Sequence, residues 1–526
     1  MGQTSAVGSL QLFLGKMLST VILAVGSIIL TILIAPGDYG LYIVALIPAT
    51  TALLFQDLGV GMAITRFSAQ YRSSNQEGKL RSTIIAGLTF EAASGLLLSL
   101  IMFSLASFVA SSVFNKPDST LLIALASITI LSTSIMVASQ SIFVGFEKMA
   151  FSSYTMIFQA IVQCSISPLL VFLGYGALGA VIGYTAASVV GGSIAISIVY
   201  FRIFRKLNRE NAIKSGISQT LKPMLSYGVP LAIATLLGGI MTQFYSFMIA
   251  SYADNAMIGN YGIATNFAIL LTFFTIPIST VLFPAFSKLN VREDHPLLKT
   301  VFSSSVKYTA LLLVPATLAI MVLSKQLIGT IYGEKWLYAS FFLTLYAANS
   351  LFTIFGSLSN GSALIGLGET KILLKLNAIT IPIGIPLAFL MIPTFGILGA
   401  IVVNIVAALP TMFIGLYWTW KNYGLKADFK SSAKIFLSST IAAAITYLFL
   451  NIFNAAAWIM FSIGIILFLA VYLTAAPLIG AINQMDINNL RAMFSNLGIV
   501  SKLLEIPLTL AEKPLKIRSF FVGTKK

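Results

Sequence analysis

Long apolar runs separated by short polar loops fill nearly the whole chain. A helix needs about 20 mostly apolar residues to cross a bilayer, and runs of that length recur. The first half reads as spans at 12–35, 39–65, 82–109, 121–144, 151–172 and 177–201. A basic linker follows, then spans at 224–250, 257–286, 304–323, 337–365, 372–392 and 397–420. Spans at 435–450 and 455–479 complete the set. The pattern predicts an all-α polytopic membrane protein with about 14 transmembrane helices.

Composition supports that class. Hydrophobic residues make up 58% of the 526 positions, charged residues only 9%, and mean hydropathy is +0.94. A soluble domain carries roughly a quarter charged residues. The first apolar run is followed by no small-residue cleavage site, so it reads as a span rather than a removable leader. The formal charge of +16 would suggest nucleic acid in a soluble protein. Here the cations sit in short loops, where they set topology, and no nucleic-acid partner is expected. The single cysteine, Cys164, lies in an apolar run, and the single histidine, His295, in a charged loop. Neither supports a metal site, and no cofactor is expected.

Loop charges give the orientation. With the N-terminus in the cytoplasm, alternate loops hold Arg66, Arg72, Lys79 and Arg81, then Lys148, then Arg202 through Lys222. The same side holds Lys288 to Lys299, Lys371 and Lys375, and Lys421 to Lys434, whereas the opposite loops hold only Lys116, Lys325 and Lys335. This bias predicts a multi-pass plasma-membrane protein with both termini cytoplasmic and an even number of spans. After 487, Met493, Leu497, Val500 and Leu504 fall at helical spacing ahead of several basic residues. That segment reads either as a short amphipathic helix on the inner leaflet or as a disordered basic tail.

Three landmarks recur in order at nearly one offset. Gly37-Asp38-Tyr39-Gly40 is echoed by Gly259-Asn260-Tyr261-Gly262, Phe67-Ser68 by Phe286-Ser287, and Tyr175-Gly176-Ala177-Leu178-Gly179-Ala180 by Phe395-Gly396-Ile397-Leu398-Gly399-Ala400. The offset covers six spans, an even number, so the two copies point the same way across the membrane. The expected organisation is an N-lobe at 1–203, a basic linker at 204–222 and a C-lobe at 223–422. Two further helices occupy 423–482 and a tail 483–526. Two lobes flanking a cleft form a transporter design in which the cleft opens to alternate sides.

Ala35-Pro36-Gly37-Asp38-Tyr39-Gly40-Leu41-Tyr42 resembles the first outer loop of the polysaccharide-transport branch of the multidrug/oligosaccharidyl-lipid/polysaccharide (MOP) exporter superfamily. So does Asp57-Leu58-Gly59 followed by Ile64-Thr65-Arg66-Phe67-Ser68-Ala69-Gln70-Tyr71. Tyr227-Gly228-Val229-Pro230-Leu231 resembles that family's opening of the second lobe. The resemblance implies a Wzx-like flippase, a transporter rather than an enzyme, acting as a monomer among membrane lipids. Its cargo would be a polyprenyl- or dolichyl-(pyro)phosphate-linked oligosaccharide, for surface polysaccharide or glycoprotein assembly. The sugar head would pass through a polar cavity while the lipid tail stays in the bilayer.

Ionisable groups inside spans cost roughly 2.5–3.5 kcal/mol at mid-helix and face cavities or partners. The candidates are Lys16, Asp57, Arg66, Glu91 and Lys307. Glu91 and Lys307 fall at similar depths on equivalent helices of the two copies, and both are expected to face the central cavity. They either meet across it or are satisfied within their own lobes. Lys16 either snorkels to the headgroups or meets a phosphate linkage. Arg66 serves topology or a headgroup, and Asp57 bonds a neighbouring helix or carries a coupling ion. No phosphate loop of the G-x-x-x-x-G-K-[ST] kind is present. Two rivals stand beside the flippase reading. A cation-coupled multidrug exporter of the same superfamily would want an acidic cavity, whereas this candidate lining is mixed. A membrane glycosyltransferase or lipid-modifying enzyme would want acidic residues clustered at one face, whereas the 16 acidic residues are scattered.

Overall fold

The computed structural model describes residues 2–207, 216–289, 293–494, 505 and 507–515. Among these residues it contains helices and no strand. The helices are α1 (Gly2–Leu33), α2 (Pro36–Gln56), α3 (Val60–Ser73), α4 (Glu77–Phe108), α5 (Thr120–Gly145) and α6 (Met149–Leu170). Next come α7 (Gly176–Ile198), α8 (Ile217–Tyr252), α9 (Asn255–Ser287), α10 (His295–Tyr332), α11 (Leu337–Ala347) and α12 (Ser357–Gly366). The last are α13 (Thr370–Phe395), α14 (Ile397–Tyr423), α15 (Phe429–Ile452), α16 (Ala457–Ile479) and α17 (Gln484–Phe494). Backbone polar groups have no water to bond in hydrocarbon, so an all-helical chain is what a bilayer allows here.

The protein is a multi-pass membrane protein. Among the described residues 11 helical stretches are long and apolar enough to cross a membrane, and 12 if bent α8 is taken as one span. One of the 11, Met149–Lys206, holds both α6 and α7. The number 14 remains an expectation from the sequence.

Two predicted spans are broken. The run 39–65 divides at residues 57–59, where Leu58 (φ 44°) and Gly59 (φ 79°) adopt the left-handed region. Asp57 holds this break: its side chain accepts from the Gly61 amide and its carbonyl accepts from the Val60 amide. A side chain at Gly59 would meet the Gly228 carbonyl oxygen at 2.1 Å, so the break also needs the bare backbone glycine provides. The run 337–365 divides into α11, a 3₁₀ stretch at Ala348–Phe355 and α12, with Gly356 at φ 89°.

The chain forms two compact units, Met1–Gly259 with Ala388–Ala400, and Asn260–Leu387 with Ile401–Lys526. In the first unit α1 lies along α6, while α5 packs against α4, α7, α2 and α3, and α8 packs against α2, α3 and α4. Small residues let these helices approach closely. A Cβ at Gly15 would lie 2.2 Å from Ser153, and one at Gly26 would lie 2.8 Å from the Cys164 Cβ. The opposite face of α1, with Leu10, Phe13, Leu14, Met17, Leu18 and Val21, is exposed and apolar, as a lipid-facing surface should be.

In the second unit α10 is the central post, packed against α11, α12, α15 and α16. Part of the tail packs on this unit. Ile487 and Leu490 of α17, together with Ala511, are buried in the core formed by α10, α15 and α16. The described part of α17 is thus docked on its own unit. Leu497, Val500 and Leu504 lie outside the described residues, as does 208–215 of the basic linker.

Candidate functional site

The ionisable candidates fall into separate settings. Glu91 lies on α4 and is fully buried (0% exposed). Its Oε2 accepts a hydrogen bond from Gln56 Nε2 at 2.9 Å, at the last residue of α2. The next residue, Asp57, is half-buried and bonds the Gly61 amide. Glu91 Oε1 and Gln56 Oε1 are buried with no bonded partner. The acidic residue at position 57 bonds the next helix segment. Gln56 was not singled out in the sequence, although an amide beside an acid at a helix break was a signal to look for.

Arg66 lies on α3 and is exposed. Its guanidinium sits 4.3 Å from the Tyr227 ring centroid and 5.6 Å from that of Phe67. Such stacking holds an arginine in place while leaving its N–H groups directed outward. Lys16, on α1, is also exposed. Neither Lys16 nor Arg66 has an ion pair among the described residues.

Lys307, on α10, is engaged. Its Nζ donates to both carboxylate oxygens of Asp486 on α17, each at 2.7 Å. Asp486 also accepts from the Asn483 amide at 2.8 Å and the Tyr308 hydroxyl at 3.3 Å. Asn489 donates to that hydroxyl at 2.8 Å. The sequence left open whether Glu91 and Lys307 meet or are satisfied apart, and the structure gives each a partner within its own unit. Asp486 was missed because its position falls in the stretch read as a tail.

A basic cluster lies at the ends of α3 and α7 and in the turn before α6. Arg72 is 3.6 Å from Glu147. Lys148 is held below the usual lysine range, first by burial and then by the repulsion of Lys206, Arg72 and Arg202. Among the described residues no group of His, Cys, Asp and Glu side chains is arranged to hold a metal.

Residues 5–290 match the family model described as polysaccharide biosynthesis protein. A probable low-salt glycan biosynthesis flippase of Haloferax volcanii is 22% identical over 263 residues, 49% of this chain. The chain spans about half, 55%, of that relative's length. Among solved structures, the lipid II flippase MurJ in an inward closed conformation superposes with TM-score 0.69 at 17% identity, over 90% of this chain and 98% of that one. An inward-facing multidrug resistance MATE family transporter of the MOP superfamily gives TM-score 0.62 at 15% identity, over 77% and 94%. At these identities the structural matches establish the fold alone. The family model covers more than half of the chain, so the protein belongs to the polysaccharide biosynthesis protein family, within the polysaccharide-transport branch of the MOP superfamily.

Proposed function

We propose that the protein is a flippase that turns a polyprenyl- or dolichyl-(pyro)phosphate-linked oligosaccharide from the cytoplasmic to the outer leaflet. It works by alternating access of two lobes, with both termini in the cytoplasm, and it performs no covalent chemistry. The observation that carries this reading is the pair of cations, Lys16 on α1 and Arg66 on α3, both exposed and without ion-pair partners among the described residues. A cargo bearing phosphate supplies the missing anion through charge-assisted hydrogen bonds. Family membership and the relative named as a glycan biosynthesis flippase point to the same cargo.

In this scheme Lys16 and Arg66 contact the phosphate linkage. Asp57, through the Gly61 amide, and Glu91, through Gln56, keep the α2–α3 break in shape. Lys307, held by Asp486, keeps α17 docked on α10. A cation exporter of the same superfamily is the second reading, favoured by the buried acid Glu91 alone.

The test is reconstitution into liposomes, scoring transbilayer movement of a lipid-linked oligosaccharide against efflux of a cationic dye. The flippase reading expects lipid movement. Arg66→Gln then lowers it about tenfold or more, from loss of a charge-assisted bond worth roughly 1.5–3 kcal/mol. Dye efflux without lipid movement selects the exporter.

A further inference from the structure

The ends of α3 and α4 and the first turns of α8 line a half-open pocket of about 190 Å³. Phe67 and Tyr71, one turn apart on α3, stack with centroids 5.9 Å apart. Tyr227 packs edge-on to Phe67 at 6.3 Å. Lys79, Ser82 and Thr83 line the α4 side, and Gln219 and Thr220 the α8 side. The Ser82 and Thr83 hydroxyls donate to the Gly78 and Lys79 carbonyls. Their protons are therefore engaged while their lone pairs stay free to accept. The Lys79 ammonium stands 5.7 Å from the Tyr71 ring centroid and has no ion pair among the described residues.

One hollow thus combines an aromatic floor, hydroxyl acceptors, an amide and a cation. Aromatic packing alone accounts for Phe67 and Tyr71 but not for the acceptors and the unpaired ammonium beside them. A sugar ring has an apolar C–H face and a hydroxyl rim, and a phosphate on it matches the ammonium. The volume falls below the roughly 300–1,000 Å³ of drug-sized sites, which suits one sugar ring rather than an oligosaccharide. Lys79 lies about 18 Å along α4 from Glu91, so the pocket is separate from that buried acid.

We propose that this pocket between α3, α4 and α8 docks a sugar phosphate, the head of the lipid-linked cargo before it is turned over. The proposal rests on the flippase reading for the identity of the cargo, while its chemistry rests on the pocket alone. The experiment is saturation-transfer NMR on the full chain in micelles, with a panel of hexose 1-phosphates as probes. Free hexoses and glycerol 1-phosphate serve as comparison arms, the latter standing for an ordinary phospholipid headgroup. The expected result is transfer to the hexose 1-phosphates, with affinity about tenfold weaker in Lys79→Gln and in Tyr71→Leu and retained in Tyr71→Phe.

Absence of transfer overturns the proposal, as does equal binding by both weakened variants. Equal competition by glycerol 1-phosphate reassigns the pocket to lipid headgroups and overturns it too. Lys79 is an exposed side chain, so Lys79→Gln carries the test if Tyr71→Leu fails to fold. Lipid movement without sugar phosphate binding sinks the pocket alone. Sugar phosphate binding without lipid movement sinks the flippase reading and leaves the pocket standing.

Discussion

Glu91 and Lys307 are both ionisable groups in membrane helices, and their surroundings treat them differently. Lys307 has a full counter-charge in Asp486, whereas Glu91 has an amide and one unbonded oxygen. Glu91→Gln keeps an acceptor for the Gln56 amide and is expected to fold with stability within about 1 kcal/mol of the parent. Glu91→Leu leaves that amide buried without a partner and is expected to cost about 1–3 kcal/mol. Denaturant unfolding in micelles separates the two. Lys307→Met leaves Asp486 buried and unpaired, a loss of about 3–5 kcal/mol, while Lys307→Met with Asp486→Leu restores most of it. A double-mutant cycle reads this directly, and a fully additive pair refutes the coupling. The need for partners at these two positions was legible in the sequence, because charge in hydrocarbon is expensive. The partner of Lys307 was not. It lies 179 residues away, and no periodicity links two positions that only tertiary packing brings together.

At the scale of elements, the long apolar runs predicted helices well and their interruptions poorly. The α2–α3 break was written as Asp57-Leu58-Gly59, but a hydropathy pattern averages across three residues. Only backbone chemistry, a glycine at positive φ and an aspartate bonding an amide four residues on, marks the discontinuity. Helix ends show the same economy. Lys116, in the turn after α4, donates to the Ala250 and Ala253 carbonyls at the end of α8, the latter at 2.9 Å. A cation at a helix C-terminus contributes roughly 0.3–2 kcal/mol. Lys116→Met is therefore expected to speed amide hydrogen exchange in the last turn of α8 and to leave α1 unchanged. Equal exchange in both proteins refutes the cap. Sequence reading placed Lys116 among the few cations of the sparse loops and gave it no partner, since the carbonyls it caps are 134 and 137 residues on.

For the whole molecule, uneven loop charge has an energetic side. Lys148 stands among Lys206, Arg72 and Arg202 and has its pKa lowered by burial and their repulsion. A lowered folded value means the unfolded chain binds more protons, so stability rises as pH climbs from that value toward about 10.4. Added salt, which screens like charges, is expected to stabilise the protein at neutral pH. Lys206→Gln is expected to weaken both dependences in denaturant titrations at several pH values and ionic strengths. The sequence showed the cations accumulating on alternate loops but not which of them converge, because α3, α6 and α7 are brought together by packing alone. The seam between α1 and α6 carries a consequence of another kind. The chain's single thiol, Cys164, lies against Gly26 at a distance that would not admit a Cβ. Cys164 keeps part of its surface open beside this close approach, so the side of the thiol that faces α1 is the side a maleimide, larger than a methyl group, does not reach. Alkylation rate in the unmodified protein therefore responds to how closely α1 keeps to α6, with no engineered cysteine and no background to remove.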